Sequence, residues 1–183
     1  MQLPIRTTWD GLPIEPAEQV DVRIVRAGPD FTIAVQAPFH ADAPPALPAG
    51  SCPELWLYEA VECFLVGEGE RYLEVELGPH GHYLLLALEG TRNIVRQGMP
   101  ARFQAEIDHE RRRWRGSITV PRELVPQPIT RVNAFALHGQ EPERRYLCHW
   151  PLPGARPDFH QIARFPPFSA PTDAAGEPGA PGG

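Results

Sequence analysis

Lysine is absent: all 17 basic side chains of the 183 residues are arginine, against 23 acidic ones, for a net charge of −6. Nucleic-acid binding normally shows as a clustered excess of base, so this mild acidity argues against such a partner. The run Arg111 to Arg113 reads as a solvated hairpin turn. Cysteine is scarce too. Cys52, Cys63 and Cys148 are odd in number and lack Cys-x-x-Cys spacing, so they suggest core thiols rather than a disulfide framework or a thiolate zinc site. No Cys-x-x-Cys-His run offers haem attachment, and Gly-x-Gly-x-x-Gly, P-loop and Gly-x-Ser-x-Gly patterns are missing, which leaves nucleotide binding and serine hydrolysis without support. No apolar run approaches the roughly 20 residues of a membrane-spanning helix. The segment MQLPIRTTWDG has neither the basic start nor the apolar stretch of a secretory signal, so the expected location is the cytoplasm, with no membrane partner.

What the chain does have is two-residue alternation, punctuated by 23 prolines and 16 glycines. Around Leu55 to Leu88 it predicts a three-strand antiparallel meander. Tyr72, Glu74 and Glu76 alternate with Leu73, Val75 and Leu77, the pattern of a strand with one buried and one wet face. GEGE before that strand and GPHG after it supply turns. Tyr83 to Leu88 is continuously apolar, as for a central strand. In the first run Trp56, Tyr58, Glu62 and Phe64 share one parity, while Glu59 falls among apolar residues and needs a bulge or a partner such as an arginine.

Similar runs at Val20 to Arg26, Phe31 to Ala37, Arg102 to Asp108, Trp114 to Val120, Arg131 to His138 and Arg144 to His149 bring the expected total to about nine strands. Residues 1 to 18 read as an extended lead-in, Ala37 to Glu54 as a proline-rich surface loop and Pro121 to Pro128 as one short helical turn. The predicted fold is all-β: an antiparallel β-sandwich, jelly-roll-like, with an irregular C-terminal segment. It would be one domain over residues 1–168, followed by a disordered tail over 169–183 that carries almost no large apolar side chain.

Four segments in register carry a resemblance. Tyr58 to Gly81 (YEAVECFLVGEGERYLEVELGPHG) resembles the acidic strand and following turn of family-nine carbohydrate-binding modules and related DOMON-like domains. Arg112 to Val125 looks like their "trp-x-ala-glu-ile-x-ile-pro" strand, RVNAFALHG like the asparagine-aromatic strand after it, and Asp158 to Phe165 like their closing "phe-his-x-pro-x-x-phe" segment. Nearly the whole chain is also similar to a family of small uncharacterised proteins shared by bacteria and animals, with a like "tyr-glu-x-val-glu-x-phe-leu" and "glu-val-glu-leu-x-pro-his-gly" pair. These likenesses imply a sandwich and, from the modules, sugar binding between two tryptophans, for which Trp56 and Trp150 are the counterparts here. The chain departs from the modules in placing Tyr58, Glu59 and Ala60 where they tend to carry paired acids.

From the residues themselves, Trp56, Tyr58, Glu62, Tyr72, Glu74 and Glu76 could share one sheet face, approached by Arg92, Arg115 and Asn133 from other strands. Sugars need stacking surfaces and bidentate polar groups, and this set offers both. The alternative is a solvated face with cross-strand charge pairs, favoured for Glu74 and Glu76. The expected function is non-enzymatic binding of a small polar ligand, most plausibly a sugar or glycoconjugate, through Trp56, Tyr58, Glu59, Glu62, Arg92, Asn133 and Trp150. A glycoside hydrolase pairing Glu62 with a second acid, or a protein-interaction module, are the alternatives. No cofactor is called for. The histidines do not converge as a metal site: His80 reads as a turn residue and His160 as a buried ring bonded to backbone.

Overall fold

The computed structural model describes residues 1–169, so the expected tail lies almost wholly outside the described residues. Among the described residues thirteen strands form two sheets: β1 Gln2–Ile5, β2 Thr7–Thr8, β3 Val20–Ala27, β4 Asp30–Pro38, β5 Gly50–Ser51, β6 Ala60–Val66, β7 Arg71–Leu77, β8 His82–Glu89, β9 Ile94–Gln97, β10 Arg102–Asp108, β11 Arg113–Val120, β12 Arg131–His138 and β13 Arg145–Cys148. The smaller sheet has the order β1-β3-β4-β11-β10. The larger has the order β2-β13-β12-β6-β7-β8-β5, with β9 also on β8. Every pairing is antiparallel except the two-residue contact of β5 with β8. The fold is the expected all-β sandwich, with more strands than expected because β1, β2, β5 and β9 are short or irregular in pattern. The 3₁₀ turn at Arg122–Leu124 sits inside the segment read as one helical turn.

The sheets differ in what covers their outer faces. In the small sheet β3 and β11 alternate buried and exposed residues, the signature of one wet face. In the large sheet every residue of β6 is buried, and β7 is buried from Tyr72 onward. Between the sheets, Val22, Ile24, Ile33, Val35 and Ile118 meet Cys63, Leu65, Leu73, Val75, Val132 and Ala134. On the other side of the large sheet a second core gathers Phe64, Tyr72, Leu84, Leu86 and Phe135 beneath Leu55, Leu152, Phe159, Ile162 and Phe165. The C-terminal segment and the Cys52–Leu55 region roof this face.

Two expectations are corrected here. The face of β7 carrying Glu74 and Glu76 is not wet: those residues are 3% and 0% exposed, because distant chain covers it. The apolar run of β8 reflects burial on both faces rather than a central place, since its outer neighbours are only the short β5 and β9.

Candidate functional site

The first strand of the meander starts later than expected. Leu55–Leu57 forms a 3₁₀ turn, entered through Glu54 in the left-handed region (φ 57°), so Trp56 stands on a turn and not in β6. Arg144, just before β13, pins that turn. Its Nη2 donates to the carbonyls of Trp56 (2.8 Å) and Tyr58 (3.0 Å), and its Nη1 to those of Leu57 (3.1 Å) and Gly139 (2.8 Å). A planar guanidinium suits such a fan of acceptors. Its Cζ also lies 5.7 Å from the centre of the Tyr146 ring.

Between this turn, the Arg92 turn and the C-terminal segment lies an open cavity of about 700 Å³. Glu62 of β6, Glu74 of β7, Leu86 and Leu88 of β8 and Leu137 of β12 form its floor. Trp56, Tyr146, Phe159, His160, Arg92 and Arg144 stand around it. Phe159 is fixed by stacking on Phe135, with ring centres 4.0 Å apart. His160 is fixed by a 2.8 Å bond between its Nδ1 and the Tyr72 hydroxyl. That hydroxyl accepts the backbone N–H of Arg92 at 3.1 Å, so its own proton is free for Nδ1 and the ring proton falls to Nε2. The partner of His160 is thus a side chain and not the expected backbone. Burial lowers its pKa to about 4, so it is neutral near pH 7.

The floor has an unusual electrostatic character. Register places Glu62 of β6 directly opposite Glu76 of β7, with Glu74 one pair along on the same face. Like charges in such positions repel. One carboxyl oxygen from each of the three lies within 4.8 Å of the others. Their cross-strand neighbours are apolar: Phe135 beside Glu62, Leu86 beside Glu74 and Leu84 beside Glu76. Burial, compounded by the charge of Glu62, therefore pushes Glu74 and Glu76 well above the usual carboxylate range; Glu62 rises for the same first reason, with Arg144 pulling it back. Neither rim arginine hydrogen-bonds to them. Arg144 is committed to carbonyls, and Arg92 pairs with Asp158 at 2.9 Å.

Of the residues singled out from sequence, Trp56, Glu62 and Arg92 are brought together at this cavity. Tyr58 contributes its carbonyl to the Arg144 clamp, and its ring packs beside the second core. Glu59 turns into the long loop, where its carboxylate accepts the N–H groups of His40 (3.0 Å) and Asp42 (3.3 Å); its partner is backbone, not an arginine. Asn133 holds the chain at Trp150, donating to its carbonyl and accepting its N–H, both at 3.0 Å. The indole of Trp150 is 49% exposed, away from the cavity lining. Arg115 lies on the small sheet, paired with Glu106, so it does not approach this face. The sequence pattern carries no signal that places Arg144, Tyr146, Phe159 and His160 at this cavity, and the solvated face favoured for Glu74 is replaced by a buried one. The shared parity of Glu62 with Glu74 and Glu76 was the one signal available for the floor.

No family model matches the chain. It is 38% identical over 178 residues to the UPF0462 protein C4orf33 homolog of Mus musculus, covering 92% of this chain and 91% of that protein. The chain belongs to the UPF0462 family. The Danio rerio homolog of that family is 39% identical over 178 residues (92% of this chain, 89% of that one), and the Homo sapiens protein 36% over 178 residues (92% and 88%). Among solved structures, a candidate carbohydrate-binding protein from Bacteroides uniformis superposes with a TM-score of 0.69 at 19% identity, covering 90% of this chain and 84% of that one. At that identity the likeness establishes the sandwich.

Proposed function

We propose that the cavity binds a small polyhydroxylated ligand, a sugar or glycoconjugate, without converting it. One observation carries this reading: an open cavity of about 700 Å³ joins an aromatic and aliphatic wall to a floor of carboxyl groups. That volume is typical of small-ligand sites. A pyranose has a C–H face for rings such as Trp56 and Tyr146, and hydroxyls able both to accept from and donate to carboxyls. The description of the Bacteroides structure and the resemblance to family-nine carbohydrate-binding modules support the same reading at the level of fold. Glycoside hydrolysis fits less well. Acids that cleave a glycosidic bond flank it from two sides, whereas Glu62, Glu74 and Glu76 share one face of two adjacent strands.

The test is thermal unfolding against a panel of mono- and disaccharides. At saturation a binding sugar should raise the midpoint by on the order of a few degrees. Trp56→Ala should abolish that rise while the turn stays clamped, because Arg144 holds the Trp56 carbonyl and not its ring. Trp150→Ala should leave it unchanged. A panel without any shift, or a shift indifferent to Trp56→Ala, would remove the proposal.

A further inference from the structure

Beyond ligand binding, we infer that Glu62, Glu74 and Glu76 form a site for a calcium-sized, oxygen-preferring divalent cation beneath the cavity. The three carboxyl oxygens lie within 4.8 Å of one another, close enough for one cation held at about 2.4 Å to reach all three. A second observation is independent of the clustering. Among the described residues, Oε2 of Glu74 and the carboxyl oxygens of Glu76 are sealed from solvent without a side-chain hydrogen-bond partner, in residues that are 3% and 0% exposed, and only the backbone N–H of Trp56 is directed at the Glu76 carboxyl. Buried polar atoms are nearly always satisfied, and buried charges are paired or coordinate metals. The apolar neighbours on β8 and β12 have nothing to donate, and the arginines are committed elsewhere.

Chemistry narrows the ion. The triad offers oxygen alone, which selects calcium, manganese or magnesium over the metals that favour imidazole or thiolate. Magnesium demands near-ideal octahedral geometry at about 2.0–2.1 Å, whereas calcium accepts six to eight oxygens in looser arrangements, including bidentate carboxylates. Three carboxylates around a divalent ion leave one negative charge, opposite the Arg144 guanidinium that already attracts Glu62. Glu62 and Glu74 line the cavity while Glu76 does not. The ion therefore has protein on one side and open coordination positions on the other. If the sugar reading holds, on which this last step rests, vicinal hydroxyls of the ligand would fill those positions.

The experiment is titration of EDTA-treated full-length protein with CaCl2, MnCl2 and MgCl2, read by calorimetry and thermal unfolding. Terbium luminescence excited through tryptophan gives a third readout, because Trp56 stands at the same cavity. Expected are saturable one-to-one calcium binding and a rise in midpoint of about 5 °C at saturation. Glu74→Gln and Glu76→Gln should each weaken binding at least tenfold, and Glu68→Gln, in the exposed turn after β6, should not. Circular dichroism in EDTA shows whether each variant folds, and the wild-type titration decides the matter if one does not. No saturable binding of any of the three ions by the wild type, or wild-type affinity in both folded Gln variants, overturns the site. A sugar response that persists in EDTA with no ion binding removes the cation and leaves the sugar reading; ion binding without any sugar response does the reverse.

Discussion

Tyr72 shows how one side chain ties the wall of the cavity to its floor. Its ring is 1% exposed in the second core, yet its hydroxyl reaches both the Arg92 backbone and His160. Tyr72→Phe keeps the packing and removes both bonds. The expected cost is about 1–2 kcal/mol, measurable as a lower urea midpoint at unchanged slope, together with weaker ligand binding because His160 loses its anchor. The thiols make the opposite point. Burial pushes Cys63 up to about 12 and Cys148 up to about 11, so neither holds a thiolate near neutral pH, and labelling reagents should react with them only on unfolding.

At the scale of elements, the site exists because two segments far apart in sequence lie over the large sheet. The Leu55–Leu57 turn is held by a single arginine through four carbonyls, counting Tyr58 and Gly139. Arg144→Lys preserves the charge but cannot reproduce a planar fan of donors. Faster hydrogen exchange in residues 55–58 is expected, with a loss of about 1–3 kcal/mol in stability. The C-terminal segment is held by its rings. Phe165 is 1% exposed and packs edge-on against Phe64. Truncating it to alanine should cost about 3–5 kcal/mol by creating a cavity in the second core, a loss that chemical denaturation would report. Strand existence was legible at this scale because alternation belongs to the backbone, and the β3, β4, β10, β11 and β12 runs fall within one or two residues of expectation. The short β1, β5 and β9 were not legible, since pairing and not pattern makes them strands.

For the whole molecule, stability should depend on pH through His138 and Glu59 outside the cavity as well as through His160 and the buried glutamates in and beneath it. His138 stacks on His40 with ring centres 3.5 Å apart, faces Glu18 at 3.6 Å, and has Asp42 and Arg145 nearby. Burial, with the His40 charge second, lowers its pKa from 6.5 to about 4. Between those values the unfolded chain takes up a proton that the folded chain refuses, so stability falls as pH drops through that window. The limit of the effect is on the order of 3 kcal/mol. Glu59, raised from 4.5 to about 7 chiefly by burial, acts in the opposite sense, losing stability as pH rises from 4.5 to 7. The wild-type curve is therefore partly flattened, and His138→Gln should steepen its fall with rising pH; urea unfolding at pH 5 and pH 7 separates the two. The sequence by itself determined the longer strands, their main hairpins and the two-layered class, because a two-residue period and turn-forming residues act locally. Only the tertiary structure decided that the face shared by Glu62, Glu74 and Glu76 is buried, and that Arg144 and not Trp150 completes the wall. Alternation separates the two faces of a strand but carries no information about which distant segment comes to lie on each.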